Sequence, residues 1–427
     1  MKTRIYFFTF LIFIICEGTG FSIDFENIIY ENRVYNPNIH TVLLHKKNAP
    51  LSEPVMFLTD DEPLVLQFDD LQRELKNYTY TFIHCNYNWQ PSGLFPMEYI
   101  QGIQENQITG YEYSRNSLQK YVHYRLEFPN EDFIFTKSGN YLLVVYEDWD
   151  KSKLVLTRRF YVSEQKGLVS ANIHASSNVD ERFSHQEVDV QVHLKDFSLV
   201  NPYDNIHLTI LQNQNPKNAV ENLKPMFVNG NILNFDYSGP NIFEGGNEFR
   251  HFDITSLRVK SLNIDKIELT TDSNFVYLKP DKRRTFLSYL QREDINGKYV
   301  IRSIDNAWNS ETDADYAKVH FMLPVQYPFM KGKLYIYGAI SNWNFTDEYA
   351  MIYNPYIKAY EKWLYVKQGY YDYQYIYLPE NSNTAEIGTI EGNHVETENE
   401  YRVLVYYTDP NLKYDRILCS EVFNSRN

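Results

Sequence analysis

The sequence predicts an all-β chain of three β-sandwich domains in series, preceded by a cleaved export signal. Three observations predict it. First, short runs of β-branched and aromatic residues alternate with a period of two, as in Val188-Asp189-Val190-Gln191-Val192-His193-Leu194 and Ile206-His207-Leu208-Thr209-Ile210. Such alternation gives a strand one core face and one polar face. Second, clusters of Asn, Asp, Gly, Pro and Ser punctuate these runs at short intervals, as turns do in an antiparallel sandwich. Third, the chain holds 37 Tyr and 27 Phe. A ring with a wet hydroxyl suits a half-buried strand. Asn, Ile and Lys are abundant beside Tyr, so the count alone does not make a carbohydrate platform.

Residues 1–20 have the layout of a secretory signal peptide. Lys2 and Arg4 are basic, Ile5 to Ile15 is apolar apart from Thr9, and Gly18-Thr19-Gly20 supplies small residues for cleavage. Cys16 follows the apolar run, as a lipidated cysteine would, but Ile15 stands where lipoprotein cleavage wants a small residue. The apolar run is too short for a spanning helix, and no later segment reaches that length. The mature chain is expected to begin near Phe21.

The first domain is expected over 21–164. Its strands include Thr41-Val42-Leu43-Leu44, Leu64 to Phe68, Thr79 to Cys85, Val122 to Phe128, Tyr141 to Tyr146 and Leu154 to Val162. Lys47-Asn48-Ala49-Pro50, Ser138-Gly139-Asn140 and Asp148 to Lys151 supply turns. A brief helical signal stands at Leu71 to Leu75. Gln165-Lys166-Gly167 opens a middle domain over 165–315, whose polar end at Asn309 to Asp315 reads as a linker. The third domain, 316–427, opens with Val319-His320-Phe321-Met322-Leu323 and carries further strands at Lys333 to Tyr337, Trp363 to Val366, Tyr370 to Leu378 and Tyr401 to Tyr407. No strict repeat or low-complexity tract interrupts it.

The chemistry-bearing residues point away from catalysis. Net charge is −14, a poor match to nucleic acid or anionic lipid and a good one to solubility. Of the cysteines, Cys85 and Cys419 are far apart and read as small buried hydrophobes rather than a disulfide framework. His84 and Cys85 are strand neighbours facing opposite sides, so they cannot share a metal. Asp60-Asp61-Glu62, Asp69-Asp70 and Glu147-Asp148 read as solvated loops, since sequence neighbours do not form a carboxylate pair across a cleft. No nucleophile elbow, zinc-protease signature or phosphate-cradling glycine loop occurs. No catalytic residue, metal or cofactor is expected.

Three stretches remain as candidate partner contacts. Tyr78 to Gly93 begins as a strand and ends in a polar loop holding Tyr87 and Trp89 with no evident core to enter. Phe243-Glu244-Gly245-Gly246-Asn247-Glu248-Phe249-Arg250 combines paired glycines with Asn247, Glu248 and Arg250, the last two on one side if extended. Its alternative is an interdomain turn packed by its phenylalanines. Tyr335 to Trp343 and Gly369-Tyr370-Tyr371-Asp372-Tyr373 carry a G-x-x-x-x-W turn and a G-x-Y-x-Y strand. These resemble the immunoglobulin-like early-set modules appended to glycogen- and starch-active proteins, where Trp343 and Trp363 would stack on sugar. The alternative is that Trp343 closes one end of the sandwich.

Taken in order, a set of segments resembles the type IX secretion system plug proteins across the mature chain. They are Phe68-Asp69-Asp70-Leu71, His84-Cys85-Asn86 with Trp89 and Pro91-Ser92, Tyr121-Val122-His123-Tyr124, Ser138-Gly139-Asn140-Tyr141 and Arg158-Arg159-Phe160. Gly245 to Phe252, Asp294 to Tyr299, Lys367 to Tyr375 and Glu396 to Tyr401 continue the series. The resemblance implies a non-enzymatic periplasmic protein, peripheral to the outer membrane, that caps the large translocon barrel. The widest barrels leave lumens able to leak, because diameter grows with strand number. A compact chain of this length has a radius of gyration on the order of 22 Å, a fitting size for a stopper. The alternative function is a secreted glycan-binding protein that uses the third domain.

Overall fold

The computed structural model describes residues 25, 27–59, 62–195, 197–305, 308–382, 384–412 and 414–426. The expected export signal lies outside them, as do Asp60 and Asp61. The described chain is almost entirely β, with single helical turns at Pro96–Tyr99, Pro202–Asn205 and Ser310–Asp313. The helical signal at Leu71 to Leu75 gives turns instead, because Arg73 takes a left-handed backbone (φ 66°) that no helix accommodates. No described helix is long and apolar enough to cross a membrane.

In the first unit, a sheet of Ile39–Lys46, Leu64–Asp70, Val122–Phe128 and Gly110–Tyr113 packs on a second formed by Tyr78–Cys85, Gly139–Glu147 and Leu154–Ser163. Alternate residues meet between them. Tyr78, Tyr80 and Phe82 face Leu66, Phe68, Tyr124 and Phe128. Phe82 sits 4.9 Å from the Phe128 ring and 5.0 Å from Phe135. Period-two alternation gives a strand one core face and one polar face, yet Tyr78–Cys85 is buried along its whole length. Ile83 and Cys85 join Leu142, Val144 and Tyr146 in a second cluster closed by Phe25 and Trp89. The N-terminal segment and the 86–93 loop therefore cover what a free two-sheet sandwich would expose.

The second unit shares that sheet. Ser163 pairs in parallel with Ile417, and Glu164 and Lys166 extend the contact by donating to the Ile417 and Leu418 carbonyls at 3.0 and 2.7 Å. One sheet thus runs through Ile206–Gln212, Glu400–Thr408, Asp415–Asn424, Leu154–Ser163, Gly139–Glu147 and Tyr78–Cys85 in that order. A facing sheet built on Gly167–Ala175 and His185–Leu194 completes the second core, where Val188, Val190 and Val192 meet Ile210, Val403, Val405 and Leu418.

The third core packs Phe252, Val276, Val319, Phe321, Ile336, Tyr371 and Tyr375. Its sheets are Arg250–Asp253 with Tyr299–Ile301, Gly332–Tyr337 and Gly369–Pro379, against Asn274–Leu278, Tyr316–Pro324 and Ala359–Lys367 with their neighbours. The cores are not consecutive in the chain. Residues on both sides of position 316 share the third core, whereas Glu400–Thr408 pairs with Ile206–Gln212. We propose that the folding units are 25–164, a discontinuous unit of 165–244 with 400–424, and a third unit inserted between those two parts.

Candidate functional site

Most of the residues singled out as partner contacts lie inside the molecule. Trp89 is 6% exposed, and the Arg159 guanidinium lies 4.1 Å over its ring. Its positive φ of 62° turns the loop back so that the indole covers Cys85 and Tyr161. Tyr87, partly buried, stacks on His207 of the second unit at 4.0 Å, and its N–H donates to Asp415 Oδ2 at 2.9 Å. This loop is a joint between the first two units. Trp343 is 5% exposed and sits edge-on to Tyr337 and Phe249, closing one end of the third unit. Trp363 is half exposed, with one face on His320 at 4.5 Å.

The Gly245-to-Arg250 segment is also a joint. A Cβ at Gly245 would stand 2.1 Å from the His394 carbonyl oxygen, so only glycine allows the two backbones to approach. Asn247 donates to the Glu391 carbonyl at 2.8 Å. Glu248 and Arg250 do not pair with each other. Arg250 forks onto Glu391 at 3.0 and 2.9 Å and reaches Asp281 at 2.7 Å. Burial alone would raise the Glu391 carboxyl, but Arg250 and Arg284 hold it down at about 2. Glu248 instead bonds the Tyr289 hydroxyl and Arg426.

Sequence reasoning missed the joint between the first and third units. Asp69 and Asp70 are fully buried rather than solvated. Asp69 Oδ2 accepts from Lys367 Nζ at 2.6 Å and from the Tyr316 hydroxyl at 2.7 Å, while Oδ1 lies 2.7 Å from His123 Nδ1. The Lys367 ammonium also donates to the Glu311 carbonyl at 2.6 Å and lies 4.1 Å over the Tyr121 ring. Burial pushes the Asp69 carboxyl up, but Lys367 and His123 outweigh it and its pKa is lowered. Burial lowers the Lys367 ammonium, with Asp69 opposing. The signal was present: an acid beside Phe68 and a lysine after Val366 are charges at the ends of apolar strands, and buried charges need partners.

A cleft of about 570 Å³ opens between the first and third units, lined by Arg33, His40, Arg158, Tyr299, Asn342 and Glu348 among others. Arg158 is buried there. Its guanidinium donates to the Asn342 side chain at 3.0 Å and to the Thr157, Arg33 and Val42 carbonyls. It binds neighbouring segments together and offers no nucleophile or base. His84, a candidate half of a metal site, lies 3.0 Å from the Ser138 carbonyl by Nε2, on the opposite face from Cys85. Cys85 and Cys419 are free and buried, and burial pushes both thiols up to about 12.

The first unit decides the family. Residues 39–164 match the model of the type 9 secretion system plug protein 1st domain. The chain belongs to the type IX secretion system plug family. It is also similar to a hypothetical protein from Parabacteroides merdae solved by crystallography, with 32% identity, a TM-score of 0.89, and coverage of 93% of this chain and 100% of that one. No curated protein matches. Membership ties this plug-family chain to type IX secretion and points to a structural component of the cell envelope rather than an enzyme. The buried joints of the plug-family body couple all three units.

Proposed function

We propose that this chain is a periplasmic stopper that binds the outer-membrane translocon barrel of the type IX system and closes its periplasmic opening when no substrate occupies it. The observation that carries the reading is the plug-domain match over 39–164. The architecture supports it: a shared sheet and buried ionic joints give a body that resists deformation across an opening. Because Trp89, Asn247, Glu248 and Arg250 are buried in joints and Trp343 is buried at one end of the third unit, barrel contact is assigned instead to apolar side chains standing in solvent. Phe286, Trp308 and Tyr356 are 92%, 94% and 95% exposed.

The test is purification of the translocon barrel from membranes of cells carrying a photocrosslinker at Phe286, Trp308 or Tyr356. The barrel is expected to co-purify with this chain and to crosslink from at least one of these positions. Absence of the chain from the purified barrel would end the reading. The stopper reading is preferred to glycan binding, because burial of Trp343 withdraws one of the two rings that motivated a sugar site and Trp363 has one face on His320.

A further inference from the structure

Three carboxylates from separate segments converge where the insertion returns to the second unit. Glu248 comes from the 245–250 joint, Asp294 from the irregular 279–298 segment, and Glu398 from the chain leading into Glu400–Thr408. One carboxylate oxygen from each lies within 4.8 Å of the others. Two oxygens on opposite sides of a calcium ion, each at 2.3–2.6 Å, are separated by that order of distance.

The donors already present leave the group incomplete. Glu248 is 1% exposed, and its Oε1 accepts from the Tyr289 hydroxyl, from Arg426 at 2.8 Å and from the Glu398 N–H at 3.3 Å. Its Oε2 is buried with no hydrogen-bond partner. Asp294 accepts from the Phe249 N–H at 2.5 Å and from the Asn296 N–H at 2.9 Å. Glu398 accepts from Asn424 and, at 3.2 Å, from Asn296 Nδ2. Asn296 is itself 6% exposed, and its Oδ1 is a second buried acceptor without a donor. A buried carboxylate oxygen left unpaired among three carboxylates is costly unless something positive meets it.

We propose that Glu248, Asp294 and Glu398 form a binding site for a hard divalent cation of the calcium class. All the ligand atoms are oxygens, which selects calcium or magnesium over zinc or copper. The cation joins three segments that are distant in sequence and so fastens the inserted third unit to the second. Spacing could not reveal it, because 248, 294 and 398 meet only through the fold. The other carboxylate-histidine cluster, His174 with Glu187 and Asp189, differs: both His174 nitrogens are already engaged, by Asp189 and by the Ala175 carbonyl.

Arg426 occupies Glu248 Oε1 from the side of the chain end and is partly exposed, so it competes with a cation without building the core. The experiment is titration of chelator-stripped full-length mature chain with calcium chloride by calorimetry, followed by thermal unfolding with and without the ion. One ion per chain with a dissociation constant below about 1 mM is expected, together with a rise in the unfolding midpoint. Glu248→Gln and Asp294→Asn should each abolish uptake, and Arg426→Ala should tighten it severalfold. The proposal is overturned if the wild-type chain takes up no calcium at 10-fold that concentration. It is equally overturned if uptake is unchanged by Arg426→Ala, which does not depend on either carboxylate variant folding. Failure here leaves the stopper reading untouched, because no step of that reading uses the ion.

Discussion

Replacing Asp69 by Asn should loosen the first unit from the third, and the size of the effect follows from what Lys367 is left with. The Lys367 side chain is 1% exposed. Its ammonium is held by Asp69 Oδ2, the Glu311 carbonyl and the Tyr121 ring. Asp69→Asn keeps the shape but removes the counter-charge in contact with the ammonium, which is left touching only the Glu311 carbonyl and the Tyr121 ring, with the Glu311 carboxylate acting from farther off. Breaking a buried pair in this way costs about 3–5 kcal/mol. Lys367→Met should cost less, because Asp69 keeps the Tyr316 hydroxyl and the His123 ring. The double variant should recover a large part of the Asp69→Asn loss, since both desolvated charges are gone. The assay is urea unfolding followed by both tryptophan fluorescence and far-ultraviolet circular dichroism, whose transitions are compared because a chain of several units need not unfold in one step. The pH dependence carries its own sign. The folded pKa of Asp69 is lowered, so its contribution is present above the ordinary aspartate value of 3.8 and is lost as pH falls through the folded value. The gap between wild type and Asp69→Asn should therefore shrink in acid. A single-variant loss under about 1 kcal/mol, within the range of exposed ion pairs, or strict additivity in the double variant, would refute the reasoning.

Other expectations can be checked with the same measurements. Burial lowers the His84 imidazole from 6.5 to about 4, so the neutral ring stabilises the fold above pH 6.5 and that stability drains away between 6.5 and 4; the loss should approach about 3 kcal/mol and be absent in His84→Gln. Gly139→Ala would place a Cβ 2.4 Å from His84 Nε2 at a φ of 146°, and should cost about 1–3 kcal/mol as a lower urea midpoint. Trp343→Ala empties a packed site and should cost about 3–5 kcal/mol, with migration through polysaccharide gels unchanged from wild type.

The strands were legible because their period of two survives in the sequence. Val188 to Leu194 and Ile206 to Ile210 form strands where the alternation places them. What alternation does not encode is which strand lies beside which. Ile206 pairs with Tyr407 across two hundred positions, and the parallel contact of Ser163 with Ile417 makes one sheet of two units. Loop chemistry misled for a related reason. Asn86, Asn88, Pro91 and Gly93 do make a turn, but Trp89 is drawn inward by Arg159 from a neighbouring strand. Glu248 and Arg250 share a side of an extended segment, yet each finds a stronger partner elsewhere, Arg250 on Glu391 and Glu248 on Arg426. Residues that look unpartnered in sequence are here the ones that fasten units together, because a charge or an indole at a joint has its partner in a distant segment.

The central claim, a rigid non-enzymatic body that stops the barrel, is tested most directly by conductance. The purified translocon barrel, freed of this chain and set in a planar bilayer, should conduct ions, and adding full-length mature chain to the periplasmic side should close it. A barrel that binds the chain yet conducts as before would contradict the account.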